Sequence, residues 1–472
     1  MLFNSFEFLV LVAVTWGLYY LPVIRRWQVE LLIASSLVFY SWTNPKLLLL
    51  FILSAAVNVS TSYGVVHGPP ARRRFYATLG VVVNLLILAF FKYSPLLGRS
   101  LFHETSSIGQ FLMQVPLPIG ISFYTFEGIS LLVDAYKGRD EHAARELVPK
   151  NWGAHLRNTT FFVAFFPHLI AGPILKAHQF IPQIVAKQLA DVDWAAAMRN
   201  IVLGYFLKMV IADNLKEQTF WIASPYFETQ STAMLLTMLF GYSMQIFADF
   251  AGYSLIAIGV ARLFGYNLPD NFNFPYISQS VTEFWRRWHI SLSSFLREYL
   301  YVPLGGNRKS NLRTYLNLMI VMFLGGLWHG AAWSYAVWGS FHGLALAVER
   351  LAKPHLPEAR NAWAKAGITL LTFSFVSMAW LLFKLPDFSQ AVSYVQHIFT
   401  NTSVATNGLG YLTMLCIAVY SLPVLLYHAW YLAREAGWEL QVRRYDFVGY
   451  GLMMFLIVTN AGPAGDFIYF QF

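Results

Sequence analysis

Charge is scarce in this chain. Asp, Glu, Lys and Arg make up 12% of its 472 residues, while 57% are hydrophobic. A soluble domain carries roughly 25% charged residues, so too little polar surface is present to face water on all sides. Cysteine is almost missing as well, with Cys416 the single example. It cannot form an intramolecular disulfide, so no covalent framework holds the fold. Its apolar neighbours supply no base or cation to make a reactive thiolate. Motifs of several enzyme classes are also lacking. No H-E-x-x-H segment supports zinc proteolysis, and no P-loop supports nucleotide hydrolysis. Ser122, Ser243 and Ser254 each lack a flanking glycine that the G-x-S-x-G nucleophile elbow requires.

What the chain has in quantity is long apolar runs. A helix needs about 20 apolar residues to cross a bilayer core. Candidate spans are Ser5–Ile24, Val29–Thr43, Leu47–Val66, Phe75–Phe91, Leu117–Tyr136, Thr159–Leu175, Ala195–Ala212, Ala233–Phe264, Tyr315–Leu327, Ser334–Val348, Ala366–Phe383, Gly408–Tyr431 and Phe447–Thr459. The fold class is therefore all-α and polytopic, with about 11–13 membrane helices, some re-entrant or interfacial. Residues 1–472 read as one membrane-embedded domain. The first run contains Glu7, and no Lys or Arg precedes it, so it reads as a retained span rather than a secretory signal. The 15 Trp, 26 Tyr and 40 Phe suit interfacial aromatic belts.

The formal net charge is +9. In a membrane protein this excess belongs in cytoplasmic loops and does not argue for nucleic acid as a partner. Arg25, Arg26, Arg72, Arg73, Arg74, Lys137, Arg139, Arg145, Lys150 and Arg157 fall in the odd-numbered loops, which are expected to be cytoplasmic. The even loops hold little more than Lys46, Lys92 and Arg99.

Two segments depart from a plain run of spans. Val281–Tyr301 (VTEFWRRWHISLSSFLREYLY) places Phe284, Trp285, Trp288, Leu292 and Leu296 at helical spacing. Glu283, Arg286, Arg287, Arg297 and Glu298 fall on the opposite face. The pattern predicts one amphipathic helix lying in the interface or facing a cavity, with His289 at the edge of its apolar side. The second segment, Thr314–Val348, has no charged residue and is flanked by Arg308, Lys309 and Arg313 before and by Arg350, Lys353 and Arg360 after. Basic flanks on both sides predict a hairpin with both ends cytoplasmic. At 1.5 Å per residue each arm of about 17 residues spans about 26 Å, less than the hydrocarbon core of about 30 Å. The turn, LGGLWHGAAW, is expected to end inside the membrane, where irregular backbone is tolerated only in protein or beside a wet cavity. His329 sits in it.

An ionisable residue at that depth is a functional candidate by default. The alternative is a neutral core histidine bonded to a neighbouring helix. Gly325, Gly326 and Gly330, which permit close backbone approach, and Trp328 and Trp333, which can line an apolar channel, favour a functional role. That role is general base, since imidazole is poised near neutral pH. With no obvious protein nucleophile, the base would activate a hydroxyl of a substrate or partner. His289 is the second candidate, as a further proton handler or a donor to a developing oxyanion. Arg286 and Arg287 are positioned either as membrane anchors or as phosphate ligands for a nucleotide-containing donor. Asp249 reads as a buried carboxylate that pairs with Arg262 or shapes a cavity. His342 and His168 read as structural.

Several stretches resemble the membrane-bound O-acyltransferase family: LPIGISFYTFEGIS from Leu117, FPHLIAGPIL from Phe166, NFNFPYISQSVTEFWRRWHISLSSFLREYLYVPLGGNRKS from Asn271, LGGLWHGAAWSYAVWGSFHG from Leu324, and the terminal FIYFQF at 467–472. The resemblance is strongest to the bacterial branch that acetylates polysaccharides such as alginate or cellulose. It implies a ring of membrane helices around a central funnel or tunnel, with His329 catalytic at its narrow point and His289 a second polar position. Trp285, Arg286, Arg287, Trp328, Asn273 and Asp249 are then the expected substrate or tunnel-lining residues, with no metal. It also implies acetyl-CoA from the cytoplasm as donor substrate, with no bound cofactor. The location implied is the bacterial inner membrane, and the partner a periplasmic esterase-like protein of the SGNH type or a polysaccharide acceptor. The stretch DFAGYSLIAIG carries Leu255 where an Asp often stands in alginate-type members, which leaves a cellulose-type substrate equally compatible. Against this stand a transporter or flippase, whose sites are also built on broken midplane helices, and a scaffold subunit of an export complex docking through FIYFQF. No inverted repeat supports the transporter.

Overall fold

The computed structural model describes residues 1–42, 44–103, 106–138, 141–170, 172–355, 361–385, 387–438, 446–463, 465 and 467. Arg139 and Arg360 of the basic flanks, and residues 468–472 of the terminal motif, lie outside them. The described residues form helices joined by turns and loops, with no strand among them. Among the described residues six helices are long and apolar enough to cross a membrane: Leu47–His67, Pro70–Leu101, Trp194–Ile222, Thr232–Leu263, Ala362–Lys384 and Gly408–Glu435. Phe6–Tyr19 and Asp446–Thr459 are apolar but shorter. The other expected spans, Thr159–Leu175 excepted, are helices too, but shorter ones, or ones that carry more Gly, Ser, Trp and His than an isolated span.

The chain divides into two compact units. The first comprises 1–201 and 254–270, the second 202–253 and 271–472. In the first, polar side chains in apolar helices find partners in neighbouring helices, as an interior without water requires. Asn84 donates to Asn58 Oδ1 at 2.8 Å, and Ser62 Oγ lies 2.9 Å from His155 Nε2. His168 Nε2 lies 2.8 Å from Glu127 Oε1, both side chains fully buried.

The expected span Thr159–Leu175 is corrected here. The helix Trp152–Ala164 stops early, and residues 165–170 and 172–176 are buried and form no regular helix. Pro167 and Pro173 explain the stop, since proline removes a backbone donor and disfavours helix in the residue before it. Side chains serve the freed backbone: the N–H of Phe166 donates to Ser36 Oγ, and that of Ala177 to Ser130 Oγ.

In the second unit the predicted hairpin is present as Asn311–His329 and Trp333–Ala352. Its turn is tighter than the expected ten residues. Leu324–Trp328 is helical through both glycines, only Gly330–Ala332 lies between the arms, and His329 closes the first helix. The arms pack at Gly326 and Gly339. A Cβ on Gly326 would land on the Tyr335 carbonyl oxygen, and one on Gly339 on that of Met322.

The predicted amphipathic helix over 281–301 is corrected as well. It is broken into Val281–Arg287 and Ile290–Leu296, followed by a π-helical stretch Arg297–Tyr301. The break falls at His289, whose φ of 44° and ψ of 55° are left-handed. The first piece is anchored at its start. Ser280 Oγ accepts from the N–H of Glu283, and Glu349 of the hairpin accepts from Val281 and Thr282 at 2.7 and 3.1 Å.

Replacing Gly339 by Val should force the hairpin arms apart. Overpacking of this kind costs about 3 kcal/mol or more when backbone is the obstacle. A clear fall in melting temperature in detergent is expected, with Gly339→Ala intermediate; an unchanged melting temperature for both would contradict the crossing.

Candidate active site

Three pieces of the second unit bring the two candidate histidines together. The hairpin supplies His329 as the last residue of its first helix. The loop from Asn271 and the broken helix supply His289. The ring centroids are 6.1 Å apart. His289 is fully buried and His329 is 5% exposed, so both imidazoles work away from bulk water. At this spacing a single oxygen atom can stand within hydrogen-bond reach of both rings.

The wall around them is aromatic. His329 meets Trp338 at 5.2 Å, Phe383 at 5.1 Å and Trp328 at 5.1 Å. His289 meets Trp328 at 5.8 Å and Phe250 at 4.6 Å. Phe250 is backed by Phe467 at 5.8 Å, and Phe467 is fully buried against Tyr253 as well, at 4.4 Å. The first residue of the terminal motif thus packs on its own chain.

The left-handed backbone at His289 is held from behind. Asn271 accepts from the N–H of Ile290 through its carbonyl oxygen at 2.9 Å. Its side-chain oxygen accepts from Ser291 Oγ at 2.6 Å and from the Ser291 N–H at 3.3 Å. A histidine in this region is uncommon and persists where surrounding bonds over-determine it. Asn271 was not among the sequence candidates, and no periodicity marks it.

The other candidates separate. Trp328 lines the pair directly. Trp285 stands one ring farther out, 5.6 Å from Trp338. Arg287 is committed locally: its Nε donates to Glu283 Oε1 at 2.8 Å, its Nη1 to the Asn273 carbonyl at 3.1 Å, and it lies over Tyr431. Asn273 returns the contact, its N–H donating to the Arg287 carbonyl at 2.9 Å. Together they clip the ends of the Asn271 loop. Arg286 is exposed.

Asp249 does not pair with Arg262. The two lie 13 residues apart on one helix, about 20 Å along its axis. Its partner is Lys208, at 2.7 Å, which also holds Asp213 at 2.7 Å; all three side chains are buried. Lys208 sits in a π-helical stretch, Phe206–Ala212, a feature common at functional sites. The missed signal is a lysine inside the apolar run YFLKMVIA. Among the described residues no group of three His, Cys, Asp or Glu is placed to hold a metal ion.

Two shielded imidazoles thus lie beside the closed end of a hairpin in a multi-pass helical membrane protein. The sequence matches the model of the membrane-bound O-acyltransferase family over residues 153–387. It is 39% identical over 412 residues to a probable alginate O-acetylase of Pseudomonas aeruginosa, covering 85% of this chain and 75% of that one. It is 35% identical over 398 residues to a peptidoglycan O-acetyltransferase of Helicobacter pylori, covering 77% and 72%. A teichoic acid D-alanyltransferase of Bacillus subtilis is 29% identical over 324 residues, covering 64% and 76%. The chain belongs to the membrane-bound O-acyltransferase family and is a membrane-bound acyltransferase, which sets aside the transporter and scaffold alternatives.

Removing one member of a buried ion triad leaves charge uncompensated, at about 3–5 kcal/mol. Lys208→Met should therefore destabilise the protein strongly. Adding Asp213→Asn and Asp249→Asn to it should restore most of the lost melting temperature. A triple variant no more stable than Lys208→Met would show that the three groups do not act as one charge unit.

Proposed function

We propose that this protein takes acetyl from cytoplasmic acetyl-CoA and passes it across the bacterial inner membrane for O-acetylation of an exported polysaccharide of the cellulose or alginate type. The observation that carries the reading is the shielded His289–His329 pair, 6.1 Å apart, in a chain similar over most of its length to enzymes named for alginate and peptidoglycan O-acetylation.

In this mechanism the His329 imidazole takes the proton of an acceptor hydroxyl. The acceptor oxygen attacks the thioester carbonyl, and the carbon–sulfur bond breaks as the new ester forms. The proton returns from His329 to the departing thiolate, so the imidazole ends as it began. His289, held rigid by the Asn271 clamp, donates to the oxyanion that develops on the carbonyl oxygen. Preorganised donors of this kind avoid reorganisation during the reaction. The aromatic wall excludes water, which favours transfer over hydrolysis. The acceptor is a polysaccharide hydroxyl or a periplasmic esterase-like partner of the SGNH type that completes delivery to the polymer.

General-base catalysis contributes about 10²–10⁴-fold. His329→Ala is therefore expected to lower acetyl transfer by at least about 100-fold with expression, membrane insertion and melting temperature retained. Radiolabelled acetyl-CoA and purified acceptor provide the measurement. Full transfer by a folded His329→Ala protein would remove the base from the mechanism.

A further inference from the structure

Among the described residues, two that are not glycine carry left-handed backbone, and both belong to one construction. His289 is the first; Phe274, with φ of 48° and ψ of 61°, is the second. The segment 271–274 runs alongside the break in the helix and is tied to it twice. Asn271 holds Ile290 and Ser291. Asn273 exchanges hydrogen bonds with Arg287, the carbonyl of each accepting from the other. His289 thus lies between the two ties, and Phe274 stands just outside one of them.

A bulky residue in the left-handed region is an outlier and persists only where its surroundings hold it. The Phe274 ring is stacked on Tyr431 at 4.1 Å, with 25° between the planes, and meets Tyr427 at 4.4 Å. Those two tyrosines are four residues apart on the helix Gly408–Glu435, so their rings stand on one face and form a slot. The wall at Tyr431 is fixed in turn. Its Oη donates to Glu435 Oε1 at 2.6 Å, and the Arg287 guanidinium lies over its ring at 5.7 Å. A loop that had only to turn here would take glycine at no steric cost. Phenylalanine adds an anchor on a third helix.

We propose that Phe274, seated in the Tyr427–Tyr431 slot, is a positioning residue for His289: it fixes the loop whose bonds to residues 287–291 set the direction of the imidazole. Without the ring, the tie at Asn273 loses its fixed reference. The break at His289 then relaxes toward the continuous helix that the apolar spacing of 281–301 favours, and the imidazole turns with it. A shift of about 1 Å in a catalytic group costs on the order of 100-fold in rate. The effect falls on turnover, where His289 donates to the oxyanion, and leaves donor affinity unaltered. The inference rests on that proposed role of His289.

The test uses membranes that carry the full-length protein, with radiolabelled acetyl-CoA as the varied substrate and acetylated polysaccharide as the product. Phe274→Leu keeps an apolar side chain and loses the stacked ring; it should lower kcat about tenfold or more, with the KM for acetyl-CoA within about twofold. Phe274→Tyr, which keeps the ring, should stay within about threefold of wild type. Tyr431→Leu removes one wall of the slot, should give the same loss, and carries the test if Phe274→Leu is not recovered folded. In a His289→Ala background Phe274→Leu should lower kcat no further, because the group it acts through is gone. Wild-type kcat in folded Phe274→Leu or Tyr431→Leu would overturn the proposal. An undiminished effect of Phe274→Leu in the His289→Ala background, or a change in KM alone, would overturn it too. Wild-type kcat in folded His289→Ala would instead overturn the oxyanion role on which the inference rests, and wild-type protein that transfers no acetyl from acetyl-CoA would overturn the proposed function.

Discussion

The close crossing of the hairpin arms at Gly326 and Gly339 is the contact on which the site depends. With no side chain on either residue, backbone meets backbone, and the three-residue turn can close directly above. That closure delivers His329 at a helix end, where its ring leaves the hairpin and reaches the neighbouring Phe383 and the broken helix. A looser crossing would lengthen the turn and leave the imidazole without a fixed direction. The second arm then does two further jobs. Trp338 forms the floor beneath His329, and Glu349 caps the helix Val281–Arg287, which leads into the break at His289. One packing contact thereby aligns both histidines.

His289 is placed by the opposite strategy. Its helix is interrupted, and the interruption is stabilised from the adjoining loop by Asn271 and by the Arg287–Asn273 clip. Broken helices are tolerated at membrane depth only where other protein groups satisfy the freed backbone. The same rule explains the irregular stretch after Ala164, where Ser36 and Ser130 take on that task.

Much of this was readable from the residues. Twelve of the thirteen apolar runs correspond to helices, most of them with ends within a few residues of the expected ones, because twenty apolar residues leave a chain few alternatives. The hairpin followed from its uncharged interior and basic flanks. The His329–His289 pairing did not. Periodicity put His289 on the rim of one continuous helix, and the break that turns it inward depends on Asn271, a residue with no periodic signature. Asp249 reads as buried from the sequence, but of its two expected roles the pairing with Arg262 fails on spacing along one helix, and its partner is Lys208. Lys208 was passed over although a lone lysine in an apolar run is a strong signal. Ring contacts such as Trp338 with His342 are tertiary and leave no trace in local pattern.

The burial of Phe467 against Phe250 has a consequence for the order of assembly. Phe250 forms the back of the His289 pocket, and the residue that seals it arrives only after the hairpin and the helices Ala362–Lys384, Gly408–Glu435 and Asp446–Thr459 have been made. Contacts between residues so distant in sequence form late, because the loop between them must be closed first. A nascent chain that already holds both histidines in the bilayer therefore still has an open pocket. The wall behind His289 is thus completed by chain made after the helix Asp446–Thr459, and the two histidines stand in a finished surround only once that chain has packed back.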